Sequence, residues 1–186
     1  GILIENSSSF TSLANIAVYN HAGSASGIAI GGGAGGNIQN FSAWNNQYGL
    51  YSTTVTTLNI NTASATGNRA SGIYIAGSAG ALTNLIFRGN ASNGLELGGN
   101  FTISNVESFA NGAAGIAMTD GAINNAILYN NAGWGITMNN ASITTAQIYD
   151  NISGGISMRD GTISAAIVHD NQGVALSGNY NGTETV

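Results

Sequence analysis

The 186-residue sequence predicts an all-β, single-domain parallel β-solenoid of about eight coils, with 20–23 residues in each coil. Three observations predict it: an internal repeat at that spacing, period-two alternation within each repeat, and 28 glycines with no proline at all. Short alternating units cannot bury their own apolar face, so they must stack on their neighbours. Proline would remove a ladder donor from such a stack.

The repeat is marked by Gly followed by an aliphatic residue. It occurs at Gly1-Ile2, Gly27-Ile28, Gly49-Leu50, Gly72-Ile73, Gly94-Leu95, Gly115-Ile116, Gly135-Ile136, Gly155-Ile156 and Gly173-Val174. A second apolar residue follows two positions on: Ile4, Ile30, Ile75, Leu97, Met118, Met138, Met158 and Leu176, with Ser52 as the exception. Alternation at period two is the mark of a strand with one buried face. Asn68, Asn90, Asn111, Asn131 and Asn151 stand four residues before their glycines, with Asn45 also in phase. Stacked, these amides predict a hydrogen-bonded ladder between rungs. A third marker, Ile38, Leu58, Leu82, Ile103, Ile123, Ile143 and Ile163, places a second strand after a turn. Frequent Gly and β-branched residues exclude a helical reading. The repeated glycines are expected at turn positions with positive φ. Residues 1–12 read as an irregular N-terminal strand and coil, and 177–186 as a C-terminal tail, within one domain of 1–186. Coils should rise by roughly 4.8 Å each.

Repeats of the form N-x-x-x-G-I-x-I/M resemble the right-handed β-helix repeats of the pectin-lyase-like superfamily. The resemblance covers essentially the whole chain and is most regular from Leu82 to Leu176. It implies a right-handed parallel β-helix, and it leaves function open among polysaccharide lyases, hydrolases, tailspikes, adhesins and surface proteins. The N-T-D, D-D, G-H-G and R-I-K motifs of polygalacturonase-like members are absent from the sequence.

Composition narrows the partners. Charged residues make up 6% of the chain, the net charge is -5, and Arg69, Arg88 and Arg159 are its only basic side chains apart from two histidines. Nucleic-acid binding needs clustered cations, so neither nucleic acid nor an anionic membrane surface is expected as a partner. No apolar run approaches the length of a membrane span, so membrane insertion is not expected. Cysteine is absent, which removes disulfides from the argument. An uncharged chain rich in Gly, Asn, Ser and Thr reads as extracellular or cell-surface. The start at Gly1 rather than Met reads as a processed or excised product.

Among ionisable residues, Asp150 and Asp170 occupy one position in consecutive coils, roughly 5 Å apart by rung spacing. Such a pair could hold one calcium ion or act as a glycosidase pair. The simpler reading is a turn position that accepts Asn and Asp. Asp120 and Asp160 align two rungs apart through Asn140 and read as turns likewise. No other cofactor is expected. "GGGAGG" from Gly31 satisfies a phosphate-loop pattern only trivially and reads as a loop. The sequons at Asn6, Asn40, Asn90, Asn100, Asn140, Asn151 and Asn181 are too close to chance frequency to argue from.

One feature goes beyond the fold. With Val18, Ile86, Leu128, Ile148 and Val168 pointing inward, the outer face carries Leu85, Ile127 and Ile167 beside a column of Tyr19, Trp44, Phe87, Phe109, Tyr129 and Tyr149. Exposed apolar and aromatic stripes mark binding or assembly surfaces. The first expectation is a structural or adhesive protein that associates with copies of itself, end to end, through Ile2, Leu3, Ile4, Val174 and Leu176. The alternative is a glycan-binding or polysaccharide-degrading rod in which the aromatic column stacks sugars and Asp150, Asp170 and Arg159 perform chemistry.

Overall fold

The computed structural model describes residues 1–5, 9–33, 35–77, 79–179 and 181–185, and every regular element in them is a strand. Short strands β1 (Ile2–Ile4), β3 (Ile28–Ile30), β5 (Leu50–Ser52) and β7 (Ile73–Ile75) alternate with the longer β2 (Leu13–Tyr19), β4 (Gly36–Trp44), β6 (Leu58–Thr66) and β8 (Ala79–Arg88). Then β9 (Leu95–Phe109), β10 (Ile116–Tyr129), β11 (Trp134–Tyr149) and β12 (Gly154–His169) each join what are separate strands in the earlier coils, followed by β13 (Val174–Gly178) and β14 (Asn181–Thr185). All pairings are parallel, in the order β1-β3-β5-β7-β9-β10-β11-β12-β13 on the first face. The change at β9 explains the shrinking repeat. Early coils carry loops such as 53–57 between their strands, whereas later coils cross the same corner without leaving the strand.

Inward residues stack in columns. Ile28, Leu50, Ile73, Leu95, Ile116, Ile136 and Ile156 are buried in one, and Ile38, Ile60, Leu82, Ile103, Ile123, Ile143 and Ile163 in another. Leu58 therefore belongs elsewhere: it pairs with Gly36, and Ile60 takes the position the sequence assigned to it. Ser52 sits between Ile30 and Ile75, fully buried, and its hydroxyl is the one buried side-chain polar atom among the described residues without a partner. The last repeat is also shifted. Leu176 pairs with Ile156 and Val174 with Gly154, so Ala175, not Gly173, holds the repeat-glycine position. Residues 177–186, read as a tail, carry β14, which pairs with β12 from Thr162↔Asn181 onward.

The asparagine ladder runs Asn46, Asn68, Asn90, Asn111, Asn131, Asn151, Asn171. Asn131 Nδ2 donates to Asn151 Oδ1 at 2.9 Å, and its Oδ1 accepts the Asn111 backbone N–H at 3.2 Å. Every rung thereby satisfies backbone groups that the corner leaves unpaired. Asn46, not Asn45, is the member in its coil: Asn46 N–H donates to Asn68 Oδ1 at 3.1 Å, while Asn45 is exposed with φ 56°. The sequons at Asn90 and Asn151 are consumed by this buried ladder.

The repeated glycines do not have the positive φ expected of them. A Cβ on Gly72 would stand 2.6 Å from the Gly94 carbonyl oxygen and 2.9 Å from Asn90 Nδ2. They are small because the next rung and the ladder amide leave no room for a side chain. The left-handed positions fall instead to Asn20, Asn45, Ala110, Asn130, Asp150 and Asp170, with φ between 53° and 57°. A second left-handed column holds Asn15, Asn40, Thr62, Asn84, Asn105 and Asn125. Asn tolerates this region better than other residues with a Cβ, which accounts for much of the chain's asparagine.

Candidate functional site

The predicted aromatic column forms on the corner that precedes the buried ladder. Tyr19 stacks on Trp44 at 4.5 Å, and Phe109, Tyr129, Tyr149 and His169 form a continuous stack with centroid spacings of 4.8, 5.1 and 5.2 Å. The rings are nearly parallel, as one ring per rung requires. Burial and a 2.9 Å hydrogen bond to Glu107 push the Tyr129 phenol up to about 12.

Phe87 is not in this column. It is fully buried and pairs with Ser108, whereas Arg88 pairs with Phe109 and interrupts the stack. Leu85 likewise turns in and Ile86 turns out. The register is continuous here: Ala65, Phe87, Ser108 and Leu128 share one inward column, and Arg88, two residues before Asn90 as Phe109 is before Asn111, takes the aromatic-column position. The exposed stripe is thus Ile86, Ile127 and Ile167, at 46%, 39% and 53% exposure.

Asp150 and Asp170 lie exposed at left-handed turn positions, and the Asp170 carboxylate takes the His169 Nδ1 contact at 2.8 Å. Among the described residues no three His, Cys, Asp or Glu side chains gather as metal ligands. Asp120 and Asp160 align through Asn140. Leu3 and Val174, in the first and last rungs of the first face, are 65% and 57% exposed, while Ile2, Ile4 and Leu176 pack against the core. Arg159 is on another corner, so the structure does not bring it together with the Asp150–Asp170 pair.

A long concavity lies on the outer surface of the short-strand face, which the sequence expectations did not single out. It is an open groove of about 450 Å³ across β7 and β9 to β13, lined among others by Tyr74, Glu96, Thr137, Asn139, Ser157 and Arg159. Six rungs make it about 24 Å long. At its N-terminal end Tyr51 stacks on Tyr74 at 5.2 Å, and Tyr48 packs on Tyr51 at 4.9 Å. Glu96 follows Tyr74 in the same outward column, held by Ser71 Oγ at 2.8 Å and Asn93 Nδ2 at 3.0 Å. Burial first, and then the Glu96 carboxylate, raise the Tyr48 phenol above its ordinary value. These residues had a sequence signal: Tyr51, Tyr74, Glu96, Thr137 and Ser157 are the residues between the two inward positions of each G-I-x-I repeat.

Comparison with known proteins agrees with this architecture. The periplasmic alginate epimerase AlgG, as a point mutant, superposes over 99% of this chain with TM-score 0.58 at 13% identity, and the chain spans 62% of that structure. The pectate lyase Pel9A superposes over 99% with TM-score 0.50 at 13% identity, across 70% of its length. At these identities the likeness concerns the fold. No curated protein matches in sequence. Residues 1–147 match the right handed beta helix region family, and the chain belongs to that family.

Proposed function

We propose that the protein is a secreted polysaccharide-binding β-helix that holds a glycan lengthwise in the groove over its short-strand face. The observation that carries this reading is the groove itself: an elongated cleft with stacked tyrosines at one end and hydroxyl and amide side chains along its floor. Sugar rings present C–H faces that rest on aromatic rings and hydroxyls that pair with such side chains. The two solved neighbours, an alginate epimerase and a pectate lyase, act on polysaccharides on the same kind of scaffold. That favours glycan recognition over the end-to-end filament expected first, for which no similar support exists.

Affinity electrophoresis and calorimetry against a panel of polysaccharides test the reading. Tyr74→Ala should weaken binding about tenfold, the loss of one stacking contact with its buried area. Ile167→Ser, on the other face, should leave it unchanged. Binding unaltered by Tyr74→Ala would refute the groove. The same mixtures, assayed for released oligosaccharide, show whether the bound chain is also cleaved, with Glu96 as the groove carboxylate to replace by Gln.

A further inference from the structure

We infer that the groove takes an uncharged glycan rather than a polyuronate; this rests on the groove being the binding site. The chain has three arginines and no lysine at a net charge of -5. Two of the arginines are committed elsewhere. Arg69 donates to the backbone carbonyls of His21 and Gly23, and Arg88 stands in the aromatic column on a different corner. Arg159 alone reaches the groove, at the opposite end from Glu96. Three rungs separate Glu96 from Ser157, two residues before Arg159, which is about 14 Å along the axis.

A polyuronate carries a carboxylate on each sugar. In this groove one end of it would lie against Glu96 and the middle against Ala117 and Thr137, with a single guanidinium to offset the charge. Desolvating carboxylates without cations is unfavourable, and like charge at Glu96 adds to the cost. A neutral chain meets no such penalty. Its hydroxyls can both donate to and accept from Thr119, Thr137, Asn139, Ser157 and Ser177, which recur rung by rung.

The test is a binding panel of galactomannan, xyloglucan and dextran against polygalacturonate and alginate, at low and high NaCl, with calcium and with chelator. The expected result is binding to at least one neutral polymer, insensitive to salt and weakened about tenfold by Tyr74→Ala, with no binding to either uronate. Thr137→Lys, which places a cation in mid-groove, should then gain salt-sensitive polygalacturonate binding. Uronate binding by the unmodified protein that Tyr74→Ala weakens, with or without calcium, would overturn the neutral class while leaving the groove intact. Binding to none of the five polymers, or binding indifferent to Tyr74→Ala, would overturn the groove reading as well.

Discussion

The ring of Phe101 lies over the bare Cα of Gly80, its in-register partner one rung earlier. A Cβ on Gly80 would meet the ring's Cε1 at 3.0 Å and the Leu58 carbonyl oxygen at 1.9 Å. Leu58, Gly80, Phe101 and Gly121 thus alternate large and small down one corner of the solenoid. This is how a stack of near-identical coils accommodates a phenylalanine: the neighbouring rungs give up their side chains.

Gly80→Ala should therefore destabilise the protein by about 1–3 kcal/mol, the usual range for overpacking. Denaturant unfolding measures it. Adding Phe101→Leu to Gly80→Ala should recover little, because the closest clash is with the Leu58 backbone rather than with the flexible edge of a ring.

Ala110 is the outlier of its column. Its φ is 54°, where coils on either side use Gly89 and Asn130. A methyl side chain in the left-handed region costs about 1–2 kcal/mol, and Asn lowers that cost. Ala110→Asn is expected to raise stability by about 0.5–1 kcal/mol and to shift the denaturant midpoint upward with an unchanged slope. A midpoint that stays put or falls would show that the column tolerates alanine without strain.

Tyr129 supplies a pH signature. Its phenol ionises near 12 in the folded protein against 10.0 as the ordinary value, because of burial and the Glu107 hydrogen bond. The folded state then binds the proton more tightly than the unfolded state. Its contribution to stability is complete below pH 10 and is lost as pH rises towards about 12. Thermal melts across that window should fall less steeply for Tyr129→Phe than for the unmodified protein. Parallel curves would show that neither burial nor the Glu107 contact raises the phenol in solution.

Sequence by itself determined the parallel solenoid, the coil length, the buried ladder from Asn68 to Asn151 and the aromatic column at Phe109, Tyr129 and Tyr149. All are periodic, and a stack copies one coil's environment onto the next, so a repeated residue type reports a repeated position. Only the tertiary structure decided where the phase slips. Phe87 is no slip: it stands three residues before Asn90, as Ser108 and Leu128 stand before Asn111 and Asn131, and the register keeps it in their inward column. Asn46 displaces Asn45 from the ladder, and Ala175 replaces Gly173 in the final coil. The groove's outward column, with Tyr74 and Glu96 in it, is periodic in the sequence, but its concavity is not: Tyr74 and Arg159 are 85 residues apart, and depth between two corners of a coil has no signature in a linear repeat. Packing between rungs fixed these features, since steric fit depends on neighbours about twenty residues away rather than on the local pattern.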